Sequence, residues 1–314
     1  SPKAPMRSLL IFTLVGVGAQ LVDGALGMAF GVTATTLLVL SGLGPAHASA
    51  AVHFAEVGTT LASGISHWRF GNVDWKMVLR LGVPGAIGAF LGATLLSNLS
   101  TEAAAPVTAG ILLAIGLYVL LRFSIRPPAV AQARTSPHTA KFLAPLGLFG
   151  GFIDASGGGG WGPVSTSTLL SRGKTAPRTV IGSVAASEFL VAASASVGFL
   201  FGLGGEFVDN LVVIAGLAIG GVLAAPVAAW LVSRIAATLL GTAVGGLIVL
   251  TNTRTLLKSF EVSGAASSVI YLAIIAAWLY FVAIAWRRSR LTEEEASGDL
   301  TGLEPATKDA ADKA

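Results

Sequence analysis

Residues 154–163 read Asp154-Ala-Ser-Gly-Gly-Gly-Gly-Trp-Gly-Pro163, and an earlier stretch, Asp23-Gly-Ala-Leu-Gly27, likewise opens on an aspartate with glycine close behind. Both lie near the middle of long apolar segments, 142–171 and 8–41. Consecutive glycines beside an aspartate are a poor middle for a continuous lipid-facing helix, because glycine loses the most backbone entropy on ordering. Each segment therefore predicts two half-helices that meet at a non-helical tip.

The surroundings are those of a membrane protein. The chain has 314 residues, 54% hydrophobic and only 11% charged, with a mean hydropathy of +0.78. A soluble domain carries about a quarter charged residues, so polar surface is too scarce here to cover a globule. Further apolar runs at 45–67, 76–97, 103–122, 176–202, 210–232, 235–251 and 266–286 are near the roughly 20 residues that a crossing helix needs. With no cysteine, disulfides, thiolate clusters and cysteine nucleophiles are excluded. The net charge of +4 comes from Lys and Arg at the edges of apolar runs. They form no basic stripe, which reads as topology signalling and not as nucleic-acid binding. Ser1 to Arg7 lead into the first segment with no small-residue cleavage site, so no removable signal peptide is expected.

Working outward from the aspartates, Asp23 lies over Asp154 at an offset of 131. One inserted residue later, Pro45 lies over Pro177, Glu56 over Glu188 and Gly88 over Gly220, all at 132. Each broken segment is followed by a hydroxyl cluster, then a proline-started helix bearing the glutamate, then a glycine-rich helix. That order predicts a duplicated transporter core.

If each broken segment is a hairpin that enters and leaves by one face, each half adds three crossings, the halves are inverted, and the last helix makes a seventh. Sixteen of the 20 Lys and Arg then share one side, with Lys3, Arg7, Arg254 and Lys258 on the other. Such a bias marks the cytoplasmic side. Were each broken segment a single crossing, Arg172, Lys174, Arg178, Arg287, Arg288 and Arg290 would move outside, so the hairpin reading is preferred. The expectation is an all-α polytopic protein of the inner (plasma) membrane. It comprises two inverted repeats, each a broken re-entrant hairpin plus three transmembrane helices, and one extra carboxyl-terminal helix. The amino terminus lies outside and the carboxyl terminus in the cytoplasm. Residues 1–122 form the first repeat, 123–140 a cytoplasmic linker, 141–258 the second repeat, 259–290 the added helix and 291–314 a disordered tail.

An ionised group deep in a membrane segment costs about 2.5–3.5 kcal/mol on insertion scales, which singles out Asp23, His53, Glu56, Asp154 and Glu188 as coupling or gating candidates. Unpaired N–H groups at the half-helix starts, around Gly27 and around Gly159 and Gly160, carry partial positive charge and suit an anion. The hydroxyls of Thr33, Thr35, Thr36, Ser165, Thr166 and Ser167 add donors, and Trp161 could wall or gate the space. Together they predict a small midplane pocket for an oxyanion such as a sulfonate, sulfite or carboxylate. A plainer reading stands beside it: the aspartates cap the half-helices that follow, and the hydroxyls bond back to helix carbonyls or pack helices. Charged glutamates would repel an anion, so Glu56 and Glu188 point to a coupling proton or a cation such as Na+. His53, one helical turn before Glu56, shares its face and could pair with it. His67, beside Trp68 and Arg69, is expected at the membrane interface. His-x-x-Glu offers too few ligands for a metal, and no nucleophile motif appears, so neither metal, cofactor nor enzymatic activity is expected.

The stretch Gly24-Ala-Leu-Gly-Met-Ala-Phe-Gly-Val-Thr33 resembles the first motif of the sulfite exporter TauE/SafE family, and Asp154 to Pro163 is similar to that family's glycine-run-then-proline motif. His53-Phe-Ala-Glu-Val-Gly-Thr-Thr60 and His67-Trp-Arg-Phe-Gly-Asn-Val-Asp-Trp-Lys76 look like one branch of it, and the resemblance spans about 8–286. Met28-Ala29-Phe30 stands where further glycines are usual. The resemblance implies a secondary carrier that exports sulfur-containing anions such as sulfite, sulfoacetate and other organosulfonates. A cation carrier or an anion channel using the same site are the alternatives. The partners are then a small anion, membrane lipid and a coupling proton or Na+, with a homo-oligomer compatible and nucleic acid excluded.

Overall fold

Glycine-rich breaks and helix-starting prolines divide the chain. The computed structural model describes residues 3–26, 28–125, 135–172, 174–232 and 237–301. In order the elements are α1 (Lys3–Leu26), α2 (Phe30–Leu40), α3 (Pro45–Arg69), α4 (Trp75–Ser97), α5 (Thr101–Ile125) and α6 (Ala140–Gly157). A π-helical turn (Gly162–Thr166) runs into α7 (Ser167–Arg172), followed by α8 (Pro177–Leu203), a 3-10 turn (Gly204–Asn210), α9 (Leu211–Val232), α10 (Ala237–Ser259) and α11 (Ala265–Thr301). Among the described residues there is no strand. Pro45 and Pro177 open α3 and α8 at positions where the missing N–H has no helical partner to lose.

Among the described residues, five helices are long and apolar enough to cross a membrane: Trp75–Ser97, Thr101–Ile125, Pro177–Glu206, Thr238–Ser259 and Ala265–Arg290. Of the seven runs expected to cross, α3 falls short in apolarity because it carries His47, His53, Glu56 and its hydroxyls. The apolar part of α9 is the shorter Leu211–Ala224. α11 packs on α10 and α5 and turns Leu272, Leu279 and Tyr280 outward. An apolar surface of that extent suits lipid and not water.

Both expected breaks are present, and the packing around them recurs at the sequence offsets. α1 lies along α9, and α6 along α4. These seams are backbone on backbone, since glycine removes the side chain that would hold two helices apart. A Cβ on Gly220 would stand 2.8 Å from the Val17 nitrogen. One on Gly88, the counterpart of Gly220, would press on the carbonyl of Leu148, the counterpart of Val17. α3 crosses α8, and α5 packs on α10, each helix meeting its own counterpart.

The expected linker is described only at its ends. There the Ser136 N–H donates to Asp74 Oδ2 at 2.9 Å, and Arg80 donates to the His138 carbonyl at 3.3 Å. Residues 126–134 lie outside the described residues, as do Gly27 and 302–314. α11 continues to Thr301, through the first part of the stretch expected to be a tail.

Gly88→Ala and Gly220→Ala should each lower the thermal midpoint of the detergent-solubilised protein, at a cost of about 1–3 kcal/mol. Gly110→Ala, where a Cβ meets nothing within 4 Å, should leave it unchanged or raise it. A tolerant Gly88 would mean that the α4–α6 seam is not formed as described.

Candidate functional site

Asp23 sits in the last turn of α1, and its Oδ1 accepts a hydrogen bond from the Phe30 N–H at 3.2 Å, across the break to the first residue of α2. Asp154, in the last turn of α6, accepts from the Trp161 N–H through Oδ1 at 2.9 Å. Both bonds span seven residues, and Phe30 is the counterpart of Trp161. Each carboxylate therefore supplies the acceptor that a helix start needs. The capping reading of the aspartates is the geometry found.

The two tips touch. A Cβ on Gly31 would stand 2.9 Å from the Gly159 Cα, and one on Gly162 would stand 3.0 Å from the Met28 Cβ. Gly162 is the counterpart of Gly31 and Gly159 that of Met28, so these are one contact made twice. Thr35 Oγ1 donates to the Gly158 carbonyl. In the first tip Ala29 adopts a left-handed conformation at φ 86°, unusual for a residue with a Cβ.

Beside this junction lies a cavity of about 250 Å³. Gln20 and Asp23 of α1 line it, with Met28 to Phe30 of the first tip and Gly162 and Thr166 of the second. α8 contributes Ile181, Val184, Ala185 and Glu188, and α3 contributes Thr59, Thr60, Ser63 and His67. Two carboxyl groups, an amide, four hydroxyls and an imidazole thus surround one small space.

The other ionisable groups are packed away from it. His53 does not pair with Glu56: its Nε2 lies 3.0 Å from Asp154 Oδ2 and its Nδ1 2.8 Å from the Ser49 carbonyl. Sharing a helix face only brings two side chains near; a partner approaching from α6 took the bond. A carbonyl oxygen only accepts, so Nδ1 carries a hydrogen, and Nε2 against a carboxyl oxygen calls for another on the ring or the acid. Glu56 is buried, with Oε2 lacking a hydrogen-bond partner.

Of the hydroxyls expected at the site, only Thr166 lines the cavity. Thr35 fixes the second tip, Thr36 accepts from Asn252 Nδ2 at 3.3 Å, and Ser167 donates to the Met28 sulfur at 3.6 Å. Thr33 and Ser165 are buried, each with a hydroxyl oxygen that finds no partner. Trp161 is fully buried with its indole N–H on the Val184 carbonyl at 3.2 Å, so it is packed between helices and does not face the cavity. Gly159 and Gly160 belong to the tip, and Gly27 lies outside the described residues.

Gln20, Thr59, Thr60, Ser63 and His67 were not expected at the site. One signal could have found the α3 residues: they continue the Glu56 face at helical spacing, one to three turns on. They read as ordinary because a helical hydroxyl usually bonds its own backbone, as Thr60 does to the Glu56 carbonyl at 2.6 Å.

Helices broken beside an internal polar cavity are the architecture of a membrane transporter. The chain belongs to the sulfite exporter TauE/SafE family, whose sequence pattern matches residues 12–255. It is 50% identical over 274 residues to the probable membrane transporter protein YtnM of Bacillus subtilis (strain 168), covering 87% of this chain and 91% of that one. It is 27% identical over 198 residues to the probable membrane transporter protein YdhB of the same strain, covering 62% and 78%. No solved structure matches the chain.

Asp154→Ala removes a cap and strands a buried imidazole, so it should cost about 3 kcal/mol. Asp23→Ala loses the cap alone, about 1 kcal/mol. Thermal midpoints of the two variants check the difference; equal losses would deny His53 a share in holding the second tip.

Proposed function

We propose that this chain is a secondary transporter of a small sulfur-containing anion, sulfite or an organosulfonate such as sulfoacetate, exporting it by alternating access with a proton or cation as coupling partner. The observation that carries this reading is the cavity at the junction of the two tips, lined by Asp23, Glu188 and hydroxyl donors. At about 250 Å³ it lies just below the range of roughly 300–1,000 Å³ for drug-sized ligands, so it suits a small ion. Hydroxyl groups can donate to sulfonate or sulfite oxygens. An anion can share the space with Asp23 and Glu188 only if a carboxyl holds a proton and donates it as a hydrogen bond. Anion and proton are then bound together, which is the physical basis of coupling. Asp154, Glu56 and His53 form the second set of groups able to hold a proton.

In this reading the halves are inverted repeats with re-entrant hairpins, the amino terminus outside and the carboxyl terminus in the cytoplasm of the plasma membrane. The reciprocal α1–α9 and α6–α4 seams and the uneven Lys and Arg distribution support it. Hairpins opposed in this way would bring the cavity near the bilayer centre, where rocking of one half against the other can expose it to either side.

One observation favours a second reading. Among the described residues no Lys or Arg lines the cavity, which is the charge set of a cation carrier. A thermal-shift panel separates the two, because a ligand at a hundred times its Kd adds about 2.7 kcal/mol of stability. Sulfite or sulfoacetate should raise the midpoint and divalent cations should not; the reverse result would make this a cation carrier. In proteoliposomes, Glu188→Gln should keep the fold and lose the dependence of anion counterflow on a pH gradient. Counterflow with unaltered pH dependence would remove Glu188 from coupling.

A further inference from the structure

The open cavity has a counterpart in the other half, readable position by position at the 131 and 132 offsets. On the open side α3 presents Thr59, Thr60, Ser63 and His67. The matching residues of α8 are Val191, Ala192, Ala195 and Phe199, and all four are fully buried. The stripes lead to opposite ends of an antiparallel pair. Near the Arg69 end of α3, a Cβ on Gly182 of α8 would stand 3.0 Å from the Asn72 Cβ. At the other end, His47 of α3 meets Glu206, just past α8, at 3.3 Å.

A further substitution between the halves lies beside the carboxyl groups. Ala185 lines the cavity, and its counterpart is His53. The imidazole occupies the matching space, bonded to Asp154 at 3.0 Å and with its ring centroid 6.1 Å from that of Phe199. Asp154 and Glu56, the counterparts of the cavity's Asp23 and Glu188, are thereby shut in, and Glu56 Oε2 is left buried without a partner. An unpartnered carboxyl oxygen in a packed interior is costly. It stands at the position that corresponds to Glu188 of the open cavity.

We propose that the sealed half is the opposite-facing form of the binding site, built on Asp154, Glu56 and Thr35, and that the His53–Asp154 pair is the latch that holds it shut. Its ligand is of the same class as that of the open cavity, a small oxyanion accompanied by a proton. The inference rests on the reading of the chain as a carrier. It adds that the two gates are chemically unequal: a polar stripe on the Arg69 side, and an apolar stripe with a histidine latch on the other. The resting protein therefore favours the state open toward Arg69.

The absence of cysteine allows a direct test on the full chain in proteoliposomes with a membrane-impermeant thiol reagent. Ser63→Cys should label from the Arg69 face, while Ala195→Cys stays protected from both faces. Adding His53→Ala should raise labelling of Ala195→Cys from the opposite face by about tenfold or more, within the range of ordinary conformational coupling. Labelling of Ser63→Cys should fall with it. Alanine is the residue at the counterpart position, and His53→Gln provides a second variant that keeps a polar side chain. Labelling of Ala195→Cys that is unchanged in both variants, or already as fast as that of Ser63→Cys without them, overturns the latch. Labelling is read without substrate, so a failure of sulfite or sulfoacetate to bind would sink the cargo assignment and leave this result standing. Anion binding with unaltered labelling would sink the latch alone.

Discussion

A helix that breaks where water is scarce must find partners for the backbone groups it frees, because each unpaired N–H or C=O in hydrocarbon costs several kcal/mol. The chain meets this requirement twice by one device. A carboxylate in the last turn of the first half-helix reaches seven residues forward and accepts from the start of the second, Asp23 from Phe30 and Asp154 from Trp161. The rest follows from that bond. It fixes where the tips turn, the tips can then meet backbone to backbone at Gly31 and Gly159, and the cavity forms at their junction. The glycine seams of α1 on α9 and α6 on α4 hold the arms that carry the tips.

The two halves keep this scaffold and differ in what they hang on it. Backbone contacts recur at the same offsets, whereas the side chains facing the glutamates do not. Hydroxyls stand on α3 where alanine and valine stand on α8, and His53 stands where the other half has Ala185. Small residues set the helix approach, so they are constrained by packing in both halves. The residues around the carboxyls are not bound by that backbone packing, and they differ between the halves.

The breaks and the repeat were legible because they rest on composition and order: four glycines after Asp154, prolines 45 and 177, glutamates 56 and 188. Membrane character followed from the scarcity of charge. The partner of His53 was not legible. Helical spacing shows which residues share a face, as His53 and Glu56 do, but not which group on another helix will arrive there. The cavity's hydroxyls were misjudged for a related reason. Those next to the glycine runs satisfy the tips and neighbouring helices, as Thr35 and Thr36 do. Apart from Thr166, those that face the cavity lie on α3, where sequence gives no sign of an empty space opposite. A void is a property of two surfaces, and a sequence describes one surface at a time.

Asp23 links the cavity to the scaffold. One carboxyl both accepts the Phe30 N–H and lines the space where a ligand would sit. A proton or ion that alters its charge acts on the cap of α2 at the same moment, because a charge-assisted cap is roughly twice as strong as a neutral one. Its counterpart Asp154 makes the same cap but spends its second oxygen on His53. On the proposed reading, occupancy of the cavity would loosen or tighten the first tip, while the second tip stays clamped through the histidine. The tips touch at Gly31 and Gly159, so a shift in one reaches the other directly through packed backbone, with no intervening side chain to absorb it.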